Sequence, residues 1–180
     1  MPLIAGCRGY PFTGVDMLNR YDFPMPGPWR QAHFYGHPAD HGPLDWSWVE
    51  SELLRSGTYW VVARNGGHPH PRPVWGTWHS DTLFLSIGSP FLLQAVAEDP
   101  LVTVHLESGS DVVIVEGNIT GFSTDAEVIA AYDEKYDWSY DVAEYGPLVV
   151  ASPAKVLAWQ AAGWAGRESF RRSGSWLFVG

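Results

Sequence analysis

The sequence has very few features of secreted, membrane or disulfide-linked proteins. It contains one cysteine, Cys7, among 180 residues, which excludes an internal disulfide and is typical of a reducing compartment. No apolar run approaches the roughly 20 residues that cross a bilayer. Residues 1–12 lack the basic and apolar segments of a signal peptide. These absences predict a cytoplasmic protein that has no membrane partner.

Positive charge is also scarce. The chain has 11 Lys and Arg against 20 Asp and Glu, a formal net charge of −9, and no basic residue occurs between Arg72 and Lys135. Contacts to a nucleic-acid backbone need clustered Lys and Arg. The composition therefore predicts that nucleic acid is not a partner.

Aromatic side chains, by contrast, are abundant, with 10 Trp, 8 Tyr and 8 Phe. Such side chains fill cores, and they also line sites for flat ligands. Residues 1–44 combine them with Pro and Gly, and this composition predicts an irregular arm because proline cannot donate hydrogen bonds within a sheet. Residues 45–180 form one predicted domain. Trp29 and Phe34 of the arm are candidates for a lid over a ligand groove.

Turn signals divide residues 45–180 into short strands and a few helices. The predicted strands are 58–64, 72–79, 82–88, 101–108, 111–122, 146–152, 154–160 and 174–180. The predicted helices are 46–57, 89–99 and 123–138, with Asp45, Ser89 and a Ser or Thr as their N-caps. Many short strands linked by hairpins predict a mainly β fold, an antiparallel barrel with a few helices.

Three segments resemble a known family in their order and spacing. They are TYWVVARNGGHPHPRPVWGTWHSDTLFLS (58–86), DPLVTVHLESGSDVVIVEGNI (99–119) and YDEKYDW (132–138). Together they resemble the pyridoxamine 5'-phosphate oxidase-like split β-barrel proteins, in particular the actinobacterial flavin- and deazaflavin-dependent oxidoreductases. The resemblance covers about residues 46–176. It implies a split β-barrel like that of FMN-binding proteins, assembled as a homodimer.

The resemblance also implies a cofactor, FMN or the 8-hydroxy-5-deazaflavin coenzyme (coenzyme F-420), in a groove between the subunits. The residues implied to line the flat ring are Pro73, Val74, Trp75 and Gly76. Those implied to hold the phosphate, together with the start of the next helix, are Ser86, Ile87, Gly88 and Ser89. Trp176 matches the Trp of an Arg-Trp pair that precedes the last strand in the family.

This sequence departs from the family where the family carries positive charge. Phe91 and Leu92 stand at positions that are usually basic, and Ser175 replaces the Arg of the Arg-Trp pair. Each charge-assisted hydrogen bond to a phosphate contributes roughly 1.5–3 kcal/mol. Losing two of them weakens binding on the order of a hundredfold. The departures therefore leave open a protein that binds no cofactor.

Few other residues have chemistry of their own. His79 follows the PVWGTW strand and is a candidate general acid or base. Trp75 and Trp78 should face opposite sides of their strand, so that one faces the core and the other, here assigned as Trp78, lines a substrate groove. His68 and His70 have no third ligand at a suitable spacing, and we predict no metal site.

Two functions compete at this stage. The first is an oxidoreductase that transfers hydride between a flavin-type ring and a small conjugated substrate, in which the ring supplies the reactive centre. The second is a cofactor-independent cyclase, isomerase or dehydratase for an apolar natural product, carried by shape and an acid–base group. A protein that binds haem or another aromatic ligand is a minor third alternative. All three predict a planar or apolar small molecule as the partner.

Overall fold

The computed structural model describes residues 44–160 and 172–178. The strands in this part of the chain are β1 (Tyr59–Asn65), β2 (His68–His79), β3 (Thr82–Ser86), β4 (Leu101–His105), β5 (Asp111–Ser123), β6 (Leu148–Gln160) and β7 (Arg172–Leu177). The helices are α1 (Trp46–Arg55), α2 (Pro90–Glu98), α3 (Ala126–Tyr136) and α4 (Val142–Tyr145). No helix in the described ranges has the length and apolar character needed to span a membrane.

The strands form one antiparallel sheet that closes on itself. Their order is β3-β2-β1-β4-β5-β6-β7, and an additional pairing of β3 with β6 joins the ends of the six-stranded part. Strand β6 is long enough to pair with β3 through Ala151 and with β7 through Lys155. The prediction of a mainly β, antiparallel split barrel is confirmed. Closure also removes most of the free strand edges.

Side chains alternate between the inside and the outside of the barrel. On β1, Tyr59, Val61 and Ala63 are buried in the core, while the residues between them are only partly buried. Helices α1 and α2 add Leu53 and Leu92 to the same core. Helix α3 belongs to a second, smaller cluster, in which Val128, Tyr132, Tyr140 and Leu148 are buried and Phe84 packs against them. The barrel wall therefore separates two hydrophobic clusters.

The structure corrects the prediction of two strands at 146–152 and 154–160. They are one strand, β6, in which Gly117 pairs with Pro153 and Glu116 pairs with Lys155, so that Ala154 is an extra residue in a bulge. Gly117 permits a close approach here, because a Cβ at this position would lie 2.3 Å from the backbone oxygen of Ser152. Proline interrupts the ladder hydrogen bonds without ending the strand, since a bulge tolerates a missing donor.

Smaller differences concern element ends. Strand β2 begins at His68 rather than residue 72, because Gly66 and Gly67 both have positive φ and form a tight two-residue turn. The cap of α3 is Asp125, whose carboxylate accepts a hydrogen bond of 2.8 Å from the backbone N–H of Glu127. The short helix α4 was not predicted, and β7 begins at Arg172 rather than residue 174. The proposed arm, including Trp29 and Phe34, lies outside the described residues except for its last residue, Leu44, which is buried in the core.

The close contact at Gly117 predicts the effect of adding one methyl group. We expect Gly117→Ala to lower the free energy of unfolding by about 2–3 kcal/mol, because β5 and β6 must separate to admit the Cβ. Gly109→Ala is the matched control, since a Cβ there meets nothing within 4 Å. Chemical denaturation measures both variants. Equal stability of the two variants would contradict the close approach.

Candidate functional site

The two tryptophans on either side of Gly76 divide between core and surface. Trp78 is only 2% exposed and packs inside the barrel, whereas Trp75 is 48% exposed on the outer face of β2. The expected division between core and surface is confirmed, but Trp78, the residue assigned to the substrate groove, is the buried one. Trp75 is therefore the indole of this strand that a ligand can reach.

Trp75 is part of an exposed aromatic surface. Its ring is stacked on Tyr136 of α3, with centroids 4.9 Å apart and planes within 9° of each other. Trp138, 48% exposed, meets the Trp75 ring edge-on at 6.3 Å. We call Trp75, Tyr136 and Trp138 the aromatic wall. Offset-stacked and edge-to-face contacts are the preferred ring arrangements, so the three rings hold one another in place.

β3 pairs with one edge of the backbone beneath the wall, and α3 takes the place of a strand at the other edge. Strand β1 begins at Tyr59, which pairs with Val74, so β2 has no β1 neighbour from residue 75 onwards. The hydroxyl of Tyr136 lies 3.0 Å from the N–H of Gly76, which donates to it, and 2.9 Å from the Gly76 carbonyl oxygen. The same hydroxyl lies 3.0 Å from the carbonyl of Gly57. Helix α3 thus completes an otherwise unpaired strand edge.

Lys135 supplies a second bond to the same peptide. Its ammonium group donates to the Gly76 carbonyl at 3.0 Å and to the Tyr59 hydroxyl at 2.8 Å. The Nζ atom also lies 4.6 Å from the centre of the Tyr59 ring and 5.4 Å from that of Tyr136. Burial lowers the pKa of Lys135 to about 8. The lysine is thus a cation held between two aromatic rings and two oxygen acceptors.

The tyrosines around Lys135 stay neutral at physiological pH. Burial raises the pKa of Tyr59, whose hydroxyl donates to the Leu53 carbonyl. Burial also raises the pKa of Tyr136, and it raises that of Tyr132 to about 12, against the opposing effect of a hydrogen bond with Ser86. Each hydroxyl therefore remains a donor as well as an acceptor. The Tyr132 contact links α3 to the residue at which β3 ends.

The loop after β3 and the start of α2 carry no basic side chain that could contact a phosphate. The Ser89 side chain accepts from the N–H of Leu92 at 3.4 Å and so uses one of the free donors of α2. Pro90 has no N–H. Phe91 is 68% exposed at the position that is usually basic, whereas Leu92 is fully buried in the core. Only the first of the two substituted positions is therefore at the surface.

The basic side chains that the structure describes outside α3, which do not include that of Arg172, have other partners. Beyond Lys135, these pairings are Arg55 with Glu52, Arg64 with Asp99 at 3.5 Å, Arg72 with the Pro71 carbonyl at 2.9 Å, and Lys155 with Glu116 at 3.6 Å. Ser175, at the other position that is usually basic, is buried. The ring-binding half of the implied cofactor site has a suitable surface, and the phosphate-binding half has no described cation.

Among the other predicted site residues, Ser86 pairs with Trp75 across the β2–β3 ladder, whereas Trp176 and His79 lie elsewhere. Trp176 is 6% exposed and contacts Trp46 edge-on at 5.4 Å inside the core, and Ile87 is also buried. Gly88 is exposed beside α2, and Pro73 is exposed next to the half-buried Val74 on β2. His79 pairs with Thr82 at the far end of the β2–β3 hairpin, about 13 Å along the strand from Trp75. The structure does not bring His79 to the aromatic wall.

Sequence reasoning missed Lys135, Tyr136 and Trp138 as site residues. They lie among Asp133, Glu134 and other acidic residues, and that pattern predicts a solvated helix face. A signal was nevertheless present. Lys135 is the first basic residue after Arg72, and aromatic residues stand on both sides of it. A lysine among aromatic residues on a helix is a candidate for a cation–π contact.

Comparisons with known proteins identify the fold. No protein-family model matches the chain, and no curated protein matches it. A solved F420 reductase superposes with a TM-score of 0.50 and 17% identity, covering 59% of this chain and 94% of that one. A candidate 5-nitroimidazole antibiotic resistance protein from Bacteroides thetaiotaomicron has a TM-score of 0.50 and 15% identity, covering 74% and 84%.

A conserved hypothetical protein from Mycobacterium tuberculosis superposes with a TM-score of 0.53 and 16% identity, covering 78% of this chain and 89% of that one. Identities this low show a shared fold. The neighbours confirm the resemblance at that level, because the split barrel is the fold that the sequence segments implied.

The lowered pKa of Lys135 predicts a specific pH dependence of stability. Between about pH 8 and the ordinary lysine value of 10.5 the folded chain has released this proton while the unfolded chain still holds it. The free energy of unfolding should therefore rise with pH in this range. In Lys135→Met we expect this rise to be absent.

Chemical denaturation at pH 7.5, 8.5 and 9.5 measures the free energy of unfolding of wild type and variant. The difference between the two cancels the contributions of other titrating groups. Lys155→Met, which removes a lysine paired with Glu116 at the barrel surface, is the control for loss of one positive charge. Parallel pH curves for wild type and Lys135→Met would contradict the buried position of the ammonium group.

Proposed function

We propose that the protein is a small-molecule oxidoreductase of the flavin or deazaflavin split-barrel type. The planar ring of the cofactor binds against the aromatic wall, in a groove between two copies of the chain. With such a ring bound, the site would support hydride transfer to or from a conjugated substrate. The observation that carries this proposal is the exposed Trp75 indole, which is stacked on Tyr136. The barrel that holds it has the same fold as a solved F420 reductase.

The aromatic wall fits a flat ring because one indole face is exposed while Tyr136 and Trp138 restrict its movement. A flavin-type ring would supply the hydride chemistry when bound. The residues of this chain would stack against it, orient it and exclude water from one of its faces. The neutral hydroxyl of Tyr136 and the ammonium of Lys135 hold the backbone behind the wall, and the Tyr132 hydroxyl is bonded to the Ser86 side chain.

The same residues do not fit a strongly anionic ligand. Phe91 occupies the surface position that would contact a phosphate, and the region of α3 and α4 is acidic. Its acidic residues are Asp125, Glu127, Asp133, Glu134, Asp137, Asp141 and Glu144. A long acidic cofactor tail would meet repulsion there. In our proposal, binding energy comes mainly from the ring, and the ligand of choice carries little negative charge.

An outward row of side chains supports the proposed homodimer. Trp60, His105, Ile114 and Leu157 are paired in register across β1, β4, β5 and β6, on the outer face of the barrel. Trp60 and His105 lie parallel, within 3°, with ring centroids 6.2 Å apart. Beside this row is an open, mostly apolar cleft of about 390 Å³, lined mainly by β1, β4 and β5 together with Pro69 of β2 and Ala154 of β6. Apolar rows of this kind are typical of subunit contacts.

The apolar start of α2 also favours a second candidate function. With Phe91 in place of a cation, the groove suits an uncharged apolar substrate as well as a cofactor. A cofactor-independent cyclase, isomerase or dehydratase would use the wall to fold its substrate and a His, Tyr or Asp side chain as the acid–base group. This candidate requires that no flavin-type ring binds.

Titration of the purified protein with riboflavin, FMN and the deazaflavin coenzyme tests the proposal. We expect riboflavin to bind, and Trp75→Ala to weaken its binding about tenfold through loss of the stacking surface. Phe122→Ala is the control, because Phe122 is an exposed aromatic residue on β5, three strands from β2. Fluorescence quenching measures the affinities, and hydride transfer to a conjugated acceptor measures turnover. Absence of binding by all three ligands would favour the cofactor-independent candidate.

The missing cation predicts how affinity depends on the phosphate. We expect wild type to bind riboflavin and FMN with similar affinity. Phe91→Arg should increase the affinity for FMN about tenfold through a charge-assisted contact and leave the affinity for riboflavin unchanged. Phe91→Met removes the ring without adding charge and is the control. A wild type that already binds FMN a hundredfold more tightly than riboflavin would show that another cation holds the phosphate.

A further inference from the structure

The peptide at Gly76 is the point at which α3 controls the aromatic wall. Its N–H donates to the Tyr136 hydroxyl, and its carbonyl accepts from Lys135 and lies within hydrogen-bond distance of Tyr136. The next residue towards the N-terminus is Trp75, whose indole is stacked on the ring of the same Tyr136. One side chain therefore contacts both the backbone and the indole of this segment.

We infer that Tyr136 and Lys135 are positioning residues, which fix the Gly76 peptide and thereby set the orientation of the Trp75 indole towards its ligand. This inference rests on the proposed ring-binding function of the wall. Neither residue needs to touch the reacting atoms. The Tyr136 hydroxyl bridges Gly76 of β2 and Gly57, which lies just before the first residue of β1.

The position of Lys135 explains how the bridge is held. Its Nζ atom is anchored from one side by Tyr59, whose hydroxyl is in turn bonded to the Leu53 carbonyl in α1. From the other side it donates to Gly76. The contacts connect α1, β1, β2 and α3 through one ammonium group. Both polar groups of the Gly76 peptide are thereby engaged, so this part of the wall recognises a ligand through its rings.

Glycine is required at the centre of this arrangement. A Cβ at position 76 would lie 2.6 Å from the backbone oxygen of Phe84 and 2.9 Å from a methyl carbon of Leu85. The strand at residue 76 is therefore pressed against β3 on one side and tied to α3 on the other. With its peptide held on both sides, the adjoining indole has a defined direction.

Tyr136→Phe tests the inference, because it keeps the stacked ring and removes only the hydroxyl. We expect the Gly76 amide hydrogen to exchange with solvent about five- to tenfold faster, and riboflavin to bind about fivefold more weakly. Lys135→Met should also weaken riboflavin binding. Tyr140→Phe is the matched control, since it removes a hydroxyl bonded to Gly146 at 3.1 Å in the same aromatic cluster.

Amide exchange by NMR and ligand titration separate the possible outcomes. Faster exchange at Gly76 together with weaker riboflavin binding in Tyr136→Phe, and neither in Tyr140→Phe, supports the inference. Faster exchange with unchanged affinity overturns it, because the hydroxyl would then be only structural. If wild type binds no ring ligand, the proposed function fails separately. The inference is then supported if the Trp75 indole resonance shifts in Tyr136→Phe alone, and overturned if it does not.

Discussion

The hydrogen bonds between α3 and the Gly76 peptide are the contacts on which the candidate site depends. They arise from a mismatch in strand lengths, because β2 continues beyond the first residue of β1 and its backbone there needs other partners. The partners come from a helix packed on the outside of the barrel. The same helix carries the ring that stacks on Trp75. The same residues of α3 therefore satisfy the free hydrogen-bonding groups of β2 and place the aromatic wall.

Charge distinguishes this site from a phosphate-binding one. The loop that follows β3 enters a helix, a geometry that suits an anion, but Ser89 caps the helix internally and Phe91 covers its exposed start. The next basic residue after this loop in the chain, Lys135, is committed to Tyr59 and Gly76. In our proposal, the aromatic surface is retained while the preferred ligand carries little negative charge.

The sequence was sufficient to predict the barrel, because alternating strands, tight turns and a helix cap are local signals. The two turns at Gly66–Gly67 and Ser80–Asp81 have positive φ at both residues, as hairpin turns of this type require. The prediction failed where partners are distant in the chain. Tyr136 contacts Gly76 across sixty positions, and no periodicity of α3 could reveal that contact. Trp78 and Trp75 were expected to face opposite ways, but only packing decides which of them is buried.

The bulge at Ala154 has a consequence for how the chain can change in length. Before it, the odd-numbered residues Val149 and Ala151 face the core, and after it the even-numbered Val156 and Ala158 do. The inward-facing positions therefore change from odd to even numbers within β6, and this change makes one strand look like two in the sequence. Because each one-residue slip exchanges inside and outside, β6 can gain or lose residues on either side of the bulge only in pairs. Adding or removing an odd number of residues would rotate the apolar side chains of β6 out of the core and towards the solvent.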